Sequence, residues 1–454
     1  MTAYEDALIE RANAHWDELL RQNPPDLVEY ADWQRTHHLM GDGPVCKTLR
    51  PNFVTPGQFA ADCVASESVF AALCLAGDWV ASQPHLRRRY LGQIWEEFAD
   101  WLTLDVGHDR RCLNCNFDAY VTPQGLQFLE LNCVPSGREL MDLCSQLFSR
   151  LDLFQQFQQH YTLRPLLLCP DRMDAFMAAY REWGGQGLPT AVSLRGPQEK
   201  TSQFVMSTQA AITAEWAKLG VAMHWAQPGD LSFDGKRLLV RDIPVDLIGR
   251  PSWKKIRSMG AAAAGALLSA VRAHAACLPN PCDIYDHKAL FAVVTDPECD
   301  LDLPRHLRQA VQEHVPWTRV VRDERTQNGQ GESIELLRWA GENRHQLVLK
   351  PTDSYGGDGV VLGWEVDLQT WTAALTQAAA TPASHIVQAR VPTRKTTWPL
   401  MAAGIPDVQW TPDRCPFLVA GRMAGYRTRL SRTSLNSASQ VGSIAPTFVV
   451  AERA

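Results

Sequence analysis

Apolar residues recur at helical spacing through the first part of the chain and then give way to alternation, so the pattern divides the sequence before any chemistry is considered. Residues 1–108 carry helix-period segments, notably Val64 to Ser82 and Leu86 to Leu104 with Trp79, Trp95 and Trp101. Proline-marked breaks at Asn23-Pro24-Pro25, Arg50-Pro51-Asn52 and Thr55-Pro56-Gly57 separate them. The opening stretch MTAYEDALIERANAHWDELL is acidic and amphipathic, which predicts a surface helix and lacks the basic start and apolar centre of a signal peptide. The aromatic residues of this part read as core.

Alternation begins at Asn116 to Val121 and returns at Gln127 to Asn132, around a Thr-Pro-Gln-Gly turn, which predicts a β-hairpin. A helical stretch, Met141 to Tyr161, follows. Strand and helix signals then interleave: strands at Leu166 to Cys169, Ser202 to Met206 and Val221 to Trp225, helices at Met173 to Trp183 and Thr208 to Leu219, and a hairpin through Phe233 to Val240 that leads to Val245 to Arg250. Strands separated by helices imply a parallel, doubly wound sheet. Helix Gly260 to Ala275 precedes Asn280-Pro281, and Lys288 opens an amphipathic helix. Helices at Pro304 to Glu313 and Ile334 to Gly341 flank a strand at Thr318 to Val321, with Asp323 to Glu332 as a mobile polar loop. The last third holds a strand at Leu347 to Leu349 with its return at Val360 to Leu362, a helix at Trp371 to Ala380, a strand at His385 to Pro392, an alternating tail from Cys415 to Ser431, and a terminal strand at Phe448 to Val450.

Composition adds limits. The 454 residues suffice for two or three cores, and 45% hydrophobic with 21% charged residues is ordinary for a globular chain. A net charge of −6 gives no general reason to expect nucleic-acid binding. No segment reads as the roughly 20 apolar residues that span a bilayer, the nearest being Met259 to Val271. No membrane or nucleic-acid partner is therefore expected, and no pattern sets an oligomeric state. Twelve cysteines without a secretory signal favour reduced thiols and a cytoplasmic location. Cys112 and Cys115 have CxxC spacing but no second pair at zinc-ribbon distance, so either buried thiols or a metal or redox pair fits.

Several stretches offer chemistry. Ser354 to Gly359 is a glycine-rich turn behind Lys350-Pro351; Gly356, Gly357 and Gly359 can turn backbone N–H groups toward an anion, and Lys350 adds a point charge. It is either a nucleotide-phosphate clamp or an ordinary hairpin with a surface lysine. Asp118, Glu130 and Asn132 lie on hairpin faces that suit Mg2+, or else form a polar solvent face. The turn Ser136-Gly137-Arg138 can meet an anionic group with a hydroxyl, N–H groups and a guanidinium. Arg250, beyond its strand, suits a carboxylate or a structural ion pair, and Arg427 and Arg429 share one strand face. No GxGxxG follows a strand, which argues against a dinucleotide oxidoreductase.

Together these stretches resemble the ATP-grasp superfamily of carboxylate–amine ligases. The resemblance rests on VLKPxxxxGGxGV at 348–360, Asn-Pro followed by a lysine at 280–288, Ile-Val-Gln at 386–388 and Glu-x-Asn at 130–132. The metal-type strand precedes both lysines, which resembles the circularly permuted branch that contains the synthetase part of glutathionylspermidine synthase. Gly421-Arg422-x-x-Gly425-x-x-x-Arg429 is also similar to that branch. Two departures stand out: Asn116 occupies a position where that enzyme has arginine, and the chain has no room for its amidase domain, so glutathione and spermidine are not carried over.

The resemblance implies an α/β protein with α+β elements, a circularly permuted ATP-grasp fold in which residues 1–108 form a helical region, 109–162 the metal hairpin and its helix, 163–280 the α/β substrate domain and 281–454 the nucleotide-binding lobes. It implies that Lys288 and Lys350 contact ATP phosphates under a lid that includes Tyr355, Gly356, Gly357 and Gly359. Gln388 would lie near adenine, and Asp118, Glu130 and Asn132 would hold Mg2+. Arg429 and Arg427 would stabilise the phosphoryl group, while Ser136, Arg138 and Arg250 would face substrate. The implied activity joins a small amino-acid or peptide-like carboxylate to an amine through an acyl phosphate. A kinase on the same fold and an inactive nucleotide-binding protein are the alternatives.

Overall fold

The computed structural model describes every residue except 1–2, 42, 93–94, 96–100, 102–103, 109–111, 134–136, 195–202, 251–260, 280–283, 355, 402–407, 434–441 and 454. Helices α1 (Ala3–Gln22) and α2 (Leu27–Thr36) open the chain, and strand β1 (Asn52–Val54) leads into the long helix α3 (Pro56–Ser82) and short α4 (Pro84–Tyr90). Helix α1 is the expected amphipathic surface helix: Leu8, Ala12, Trp16 and Leu20 form its buried face, with Trp16 against the rings of Phe53, Phe148 and Phe157 and the opposite face exposed.

Pro56 stands in the first turn of α3, and Thr55 caps it in a reciprocal box with Gln58. Among the described residues α3 is the helix long and apolar enough to cross a membrane, which corrects the expectation that no segment approaches that limit. Its place is inside the protein, packed on α10, α11 and the strands of the main sheet introduced below. Two carboxylates make this possible, since each has a partner: Asp62 accepts from Tyr426 at 2.7 Å and lies 3.4 Å from Arg414, and Asp78 accepts from Tyr285 at 2.7 Å.

The expected hairpin forms as β2 (Asn114–Thr122) and β3 (Gly125–Asn132), followed by helices α5 (Arg138–Ser149) and α6 (Asp152–Phe157). Strand β4 (Tyr161–Pro165) comes before, not within, the apolar run 166–169, because Cys169 starts helix α7 (Cys169–Glu182). Asp142 of α5 accepts the Leu168 and Cys169 N–H groups at 2.8 and 3.0 Å and so supplies the cap of α7. The next strand, β5 (Thr190–Leu194), was not anticipated, and Ser202–Met206, read as a strand, falls partly outside the described residues and otherwise begins helix α8 (Gln203–Lys218). With β6 (Ala222–Ala226), the meander β7 (Leu231–Phe233), β8 (Leu238–Val240) and β9 (Ile243–Val245), and β10 (Leu247–Arg250), the region forms a parallel sheet in the order β10-β5-β6 beside an antiparallel one. Helix α9 (Ala261–Arg272) packs on the meander.

Helix α10 (Ala289–Thr295) is buried on all sides from Ala289 to Val294, not amphipathic. After α11 (Arg305–His314) and β11 (Thr318–Val320), the expected mobile loop contains a hairpin, β12 (Arg325–Gln327) and β13 (Ser333–Glu335), whose turn Asn328 ties to Glu332. Helix α12 (Leu336–Glu342), β14 (Leu347–Pro351), β15 (Val361–Leu362), α13 (Leu368–Ala380) and β16 (His385–Ala389) complete a lobe around the antiparallel sheet β11-β16-β14-β15. Strands β17 (Thr396–Trp398), β18 (Val408–Pro412), β19 (Cys415–Val419), β20 (Arg422–Ser431) and β21 (Ser443–Ala445) join β2 and β3 in the main sheet, ordered β17-β18-β20-β19-β2-β3 with β21 on β20. Strand β22 (Thr447–Glu452) lies between β1 and β4.

One close approach connects α3 to the site described next. A Cβ on Gly77 would stand 2.6 Å from the ring of Tyr285, whose hydroxyl is held by Asp78, and Tyr285 anchors the segment that ends in Lys288. In a free helix Gly→Ala gains about 1 kcal/mol. Here Gly77→Ala is expected to lose about 1–3 kcal/mol through overpacking, a reversal of sign that urea unfolding measures directly.

Candidate functional site

The hairpin β2–β3 carries the acidic side of the site. Its turn is held by Thr122, whose hydroxyl donates to the Gly125 carbonyl at 3.0 Å, and Gly125 takes φ +112°, which favours glycine. This register sets Asp118 opposite Glu130 and Asn116 opposite Asn132, and a bulge follows Asp118. Asn116 donates to an Asp118 oxygen at 3.2 Å and Asn132 at 3.5 Å.

The cations come from two other places. On β20, Arg427 faces Cys415 of β19 in register, and its guanidinium lies 5.9 Å over the Phe417 ring and donates to Asp118 Oδ1 at 3.0 Å. Arg429 reaches Asp118 Oδ2 at 2.9 Å. The two arginines on one face thus meet on one carboxylate. Burial alone would push the Asp118 carboxyl up, but Arg429 and Arg427 outweigh it and hold the group down at about 2.

From the other sheet, Lys350 and Gln388 lie diagonally across the β14–β16 ladder, where Val348 faces Gln388 and Lys350 faces Ile386. Lys350 Nζ donates to Gln388 Oε1 at 2.7 Å and to the Leu129 carbonyl of β3 at 3.4 Å. Gln388 Nε2 donates to Thr318 Oγ1 at 3.0 Å. Burial lowers the Lys350 ammonium to about 8, with Glu130 opposing the shift and Lys288 adding repulsion. Lys288, immediately before α10, lies 3.3 Å from Glu130 and donates to the Ser354 carbonyl at 2.5 Å. It thereby joins hairpin β2–β3 to the glycine-rich turn, in which Gly356, Gly357 and Gly359 have φ of +70°, +79° and +72°.

Eight of the expected residues, Asp118, Glu130, Asn132, Lys288, Lys350, Gln388, Arg427 and Arg429, are therefore linked or contiguous, together with the glycine-rich turn after Ser354. Gln388 is buried at 1% exposure with both ends of its amide engaged, Oε1 by Lys350 and Nε2 by Thr318. One correction accompanies this. Arg138 is fully buried: it stacks 4.4 Å over Phe417 and donates to the Cys115 and Leu418 carbonyls, so it does not face an open anion site. Ser136, Tyr355, Asn280 and the side chain of Arg250 lie outside the described residues. Cys112 and Cys115 are buried and not joined in a disulfide, and burial pushes the Cys115 thiol well up, as buried structural thiols behave. Among the described residues no cluster of three or more His, Cys, Asp or Glu side chains is placed for a metal, so an ion here would need Asn132 beside Asp118 and Glu130.

Sequence reasoning missed Asp413, between β18 and β19. Its carboxylate accepts from Arg429 Nε at 2.6 Å and from the Arg429 N–H at 2.8 Å. It sits in Pro412-Asp413-Arg414-Cys415-Pro416, where no periodicity marks it.

No protein-family model and no curated protein matches the chain. Among solved structures it is similar to a glutathione synthetase-like effector from Globodera pallida in its apo form, with TM-score 0.59 and 13% identity over 93% of this chain and 96% of that one. At that identity the likeness is one of fold. A Methylobacillus flagellatus protein provisionally named a gamma-glutamylcysteine synthetase overlaps at TM-score 0.33 and 10% identity, over 87% of each chain, too slight a likeness to carry an argument.

A buried ammonium that titrates near 8 costs stability wherever it is charged. The native state sheds this proton before the unfolded state does, so stability contributed by Lys350 rises between pH about 8 and 10.5. Lys350→Met is expected to be more stable than the parent by up to roughly 3 kcal/mol at pH 7, less what the lost Gln388 bond takes back. The difference is expected to shrink as pH rises from about 8 to 10.5, and denaturant unfolding at stepped pH measures it.

Proposed function

We propose that the protein is an ATP- and Mg2+-dependent carboxylate–amine ligase of the ATP-grasp type, with its elements in circularly permuted order, acting on a small amino-acid or peptide-like carboxylate. The observation that carries this reading is the meeting of four cations, Lys288, Lys350, Arg427 and Arg429, with the acidic hairpin from sheets far apart in sequence. Such a site has much charge to neutralise, as phosphoryl transfer requires. In this reading residues 109–162 and 281–454 form the nucleotide-binding core, 163–280 the substrate domain and 1–108 a supporting helical region. The fold likeness to a glutathione synthetase-like effector supports a peptide-forming ligase in general terms.

Asp118, Glu130 and Asn132 fit Mg2+ by chemistry: two carboxylates opposed in register and an amide supply hard oxygen donors. A Mg2+ held there would supply positive charge to the phosphates. The carboxylates are now held by Lys288, Arg427 and Arg429, cations that would also serve to bind phosphate oxygens. Lys288, tied to Ser354, draws the glycine-rich turn over the nucleotide. Lys350, aimed by Gln388, serves the phosphate chain. The substrate carboxylate oxygen then attacks the γ-phosphorus and ADP leaves. The amine nitrogen attacks the acyl carbon, the C–N bond forms, the C–O bond to phosphate breaks and the nitrogen loses a proton. Arg427 and Arg429 offset the charge on the transferring group.

The test is a panel of free amino acids and short peptides with MgATP and hydroxylamine as the amine. Hydroxamate, ADP and inorganic phosphate are expected in equal amounts, all lost on chelation of the metal. Glu130→Ala is expected to reduce turnover at least about 100-fold; full turnover in that variant removes the metal assignment. A stable phosphorylated product without inorganic phosphate, seen by phosphorus NMR, assigns a kinase instead.

A further inference from the structure

We infer that Asp413 is the positioning residue that keeps Arg429 aimed at the transferring phosphoryl group when Asp118 turns to the metal. The inference rests on the ligase reading above. Arg429 lies between two carboxylates, Asp118 at 2.9 Å and Asp413 at 2.6 Å, and these two have unlike surroundings. Asp118 is also the ligand candidate, shared with Arg427 and flanked by Asn116 and Asn132. Asp413 has no such competing role: its side chain is 2% exposed, and both of its oxygens are spent on Arg429, one on the backbone N–H and the other on Nε and the Nη2 that also reaches Asp118.

The backbone closes the same contact, since the Asp413 N–H donates to the Arg429 carbonyl at 3.0 Å. Neighbouring contacts hold the segment on its other side. The Arg414 N–H donates to the Ala119 carbonyl at 3.0 Å, at the bulge beside Asp118, and the Arg414 guanidinium lies 3.4 Å from Asp62 on α3. Asp413 is thus built into the frame, whereas Asp118 belongs to the exchanging ligands. A guanidinium fixed through Nε keeps its Nη groups in one plane and one direction, so losing Asp118 leaves it preorganised instead of free.

Asp413→Asn is nearly isosteric and keeps one acceptor for the Arg429 N–H. It places an amide NH2 against Nε, donor against donor, and the guanidinium swings away. With the carboxylate that supports hydroxamate formation, Asp413→Asn is expected to lower kcat about 10- to 100-fold while the KM for ATP stays within about threefold, because Lys288 and Lys350 are untouched. In an Arg429→Lys background the same change is expected to add less than about twofold, as for two residues acting as one unit. Should Asp413→Asn fail to fold, Arg429→Ala and Arg429→Ala/Asp413→Asn replace it, since the double variant removes both members of the buried pair. Added guanidinium ion is expected to restore turnover in the first and not in the second.

Full kcat in Asp413→Asn, a multiplicative loss in the Arg429→Lys background, or equal guanidinium rescue with and without Asp413 overturns the inference while leaving the ligase reading intact. A parent protein that releases no phosphate from MgATP with any carboxylate overturns both.

Discussion

Two guanidinium groups from one strand close on a single carboxylate of another, and the rest of the site takes its position from that contact. Asp118 with Arg427 and Arg429 spans β2, β19 and β20, so the main sheet must be in register before the charges can meet. A slip of one residue would send every side chain of β20 to the opposite face. Asp413 gives Arg429 a second carboxylate, and the Cys415 sulfur lies 3.6 Å from the same guanidinium. Buried charges of this kind are tolerated only when each has an oppositely charged or hydrogen-bonded neighbour.

The second sheet approaches through polar atoms rather than through a broad apolar face. The Leu129 carbonyl receives Lys350 and Gln388 Nε2, each at 3.4 Å, and Glu130 beside it meets Lys288. Shorter contacts, such as Lys350 to Gln388 at 2.7 Å, lie within a single sheet and hold its side chains in place. Burial at this boundary also lowers the Lys350 ammonium, a cost that the proposed ligase reading would offset with a bound anion.

Legibility in the sequence followed the strength of local patterns. The β2–β3 hairpin was readable because alternation and a Thr-Pro-Gln-Gly turn agree, and that agreement placed Asp118 opposite Glu130. The return of β14 into β15 was readable in the same way, whereas the pairing of β14 with β16 had no local signal. Short apolar runs misled where length could not separate strand from helix: residues 166–169 precede a helix whose cap, Asp142, lies 26 residues away from Leu168. The helix α3 was hidden as a long apolar element because its charged residues interrupt the run, although each has its partner in the fold. Arg138 and Gln388 were found as polar side chains in suggestive places, but only packing reveals that Phe417 covers one and Lys350 occupies the other. Asp413 had no local signal, since its meaning comes wholly from Arg429.

The parallel pairing of β1 with β22 bears on how the molecule is assembled. Asn52 and Thr447, partners in that ladder, are 395 residues apart. At roughly 5–20 residues per second on a ribosome, the first strand waits about 20–80 s for its neighbour. Throughout that interval Trp16, Phe53 and the apolar side of α1 lack the Phe448 ring of their finished cluster. The amino-terminal segment is therefore the part of the nascent chain in most need of a chaperone's cover, and the last strand acts as the clasp that ends that need.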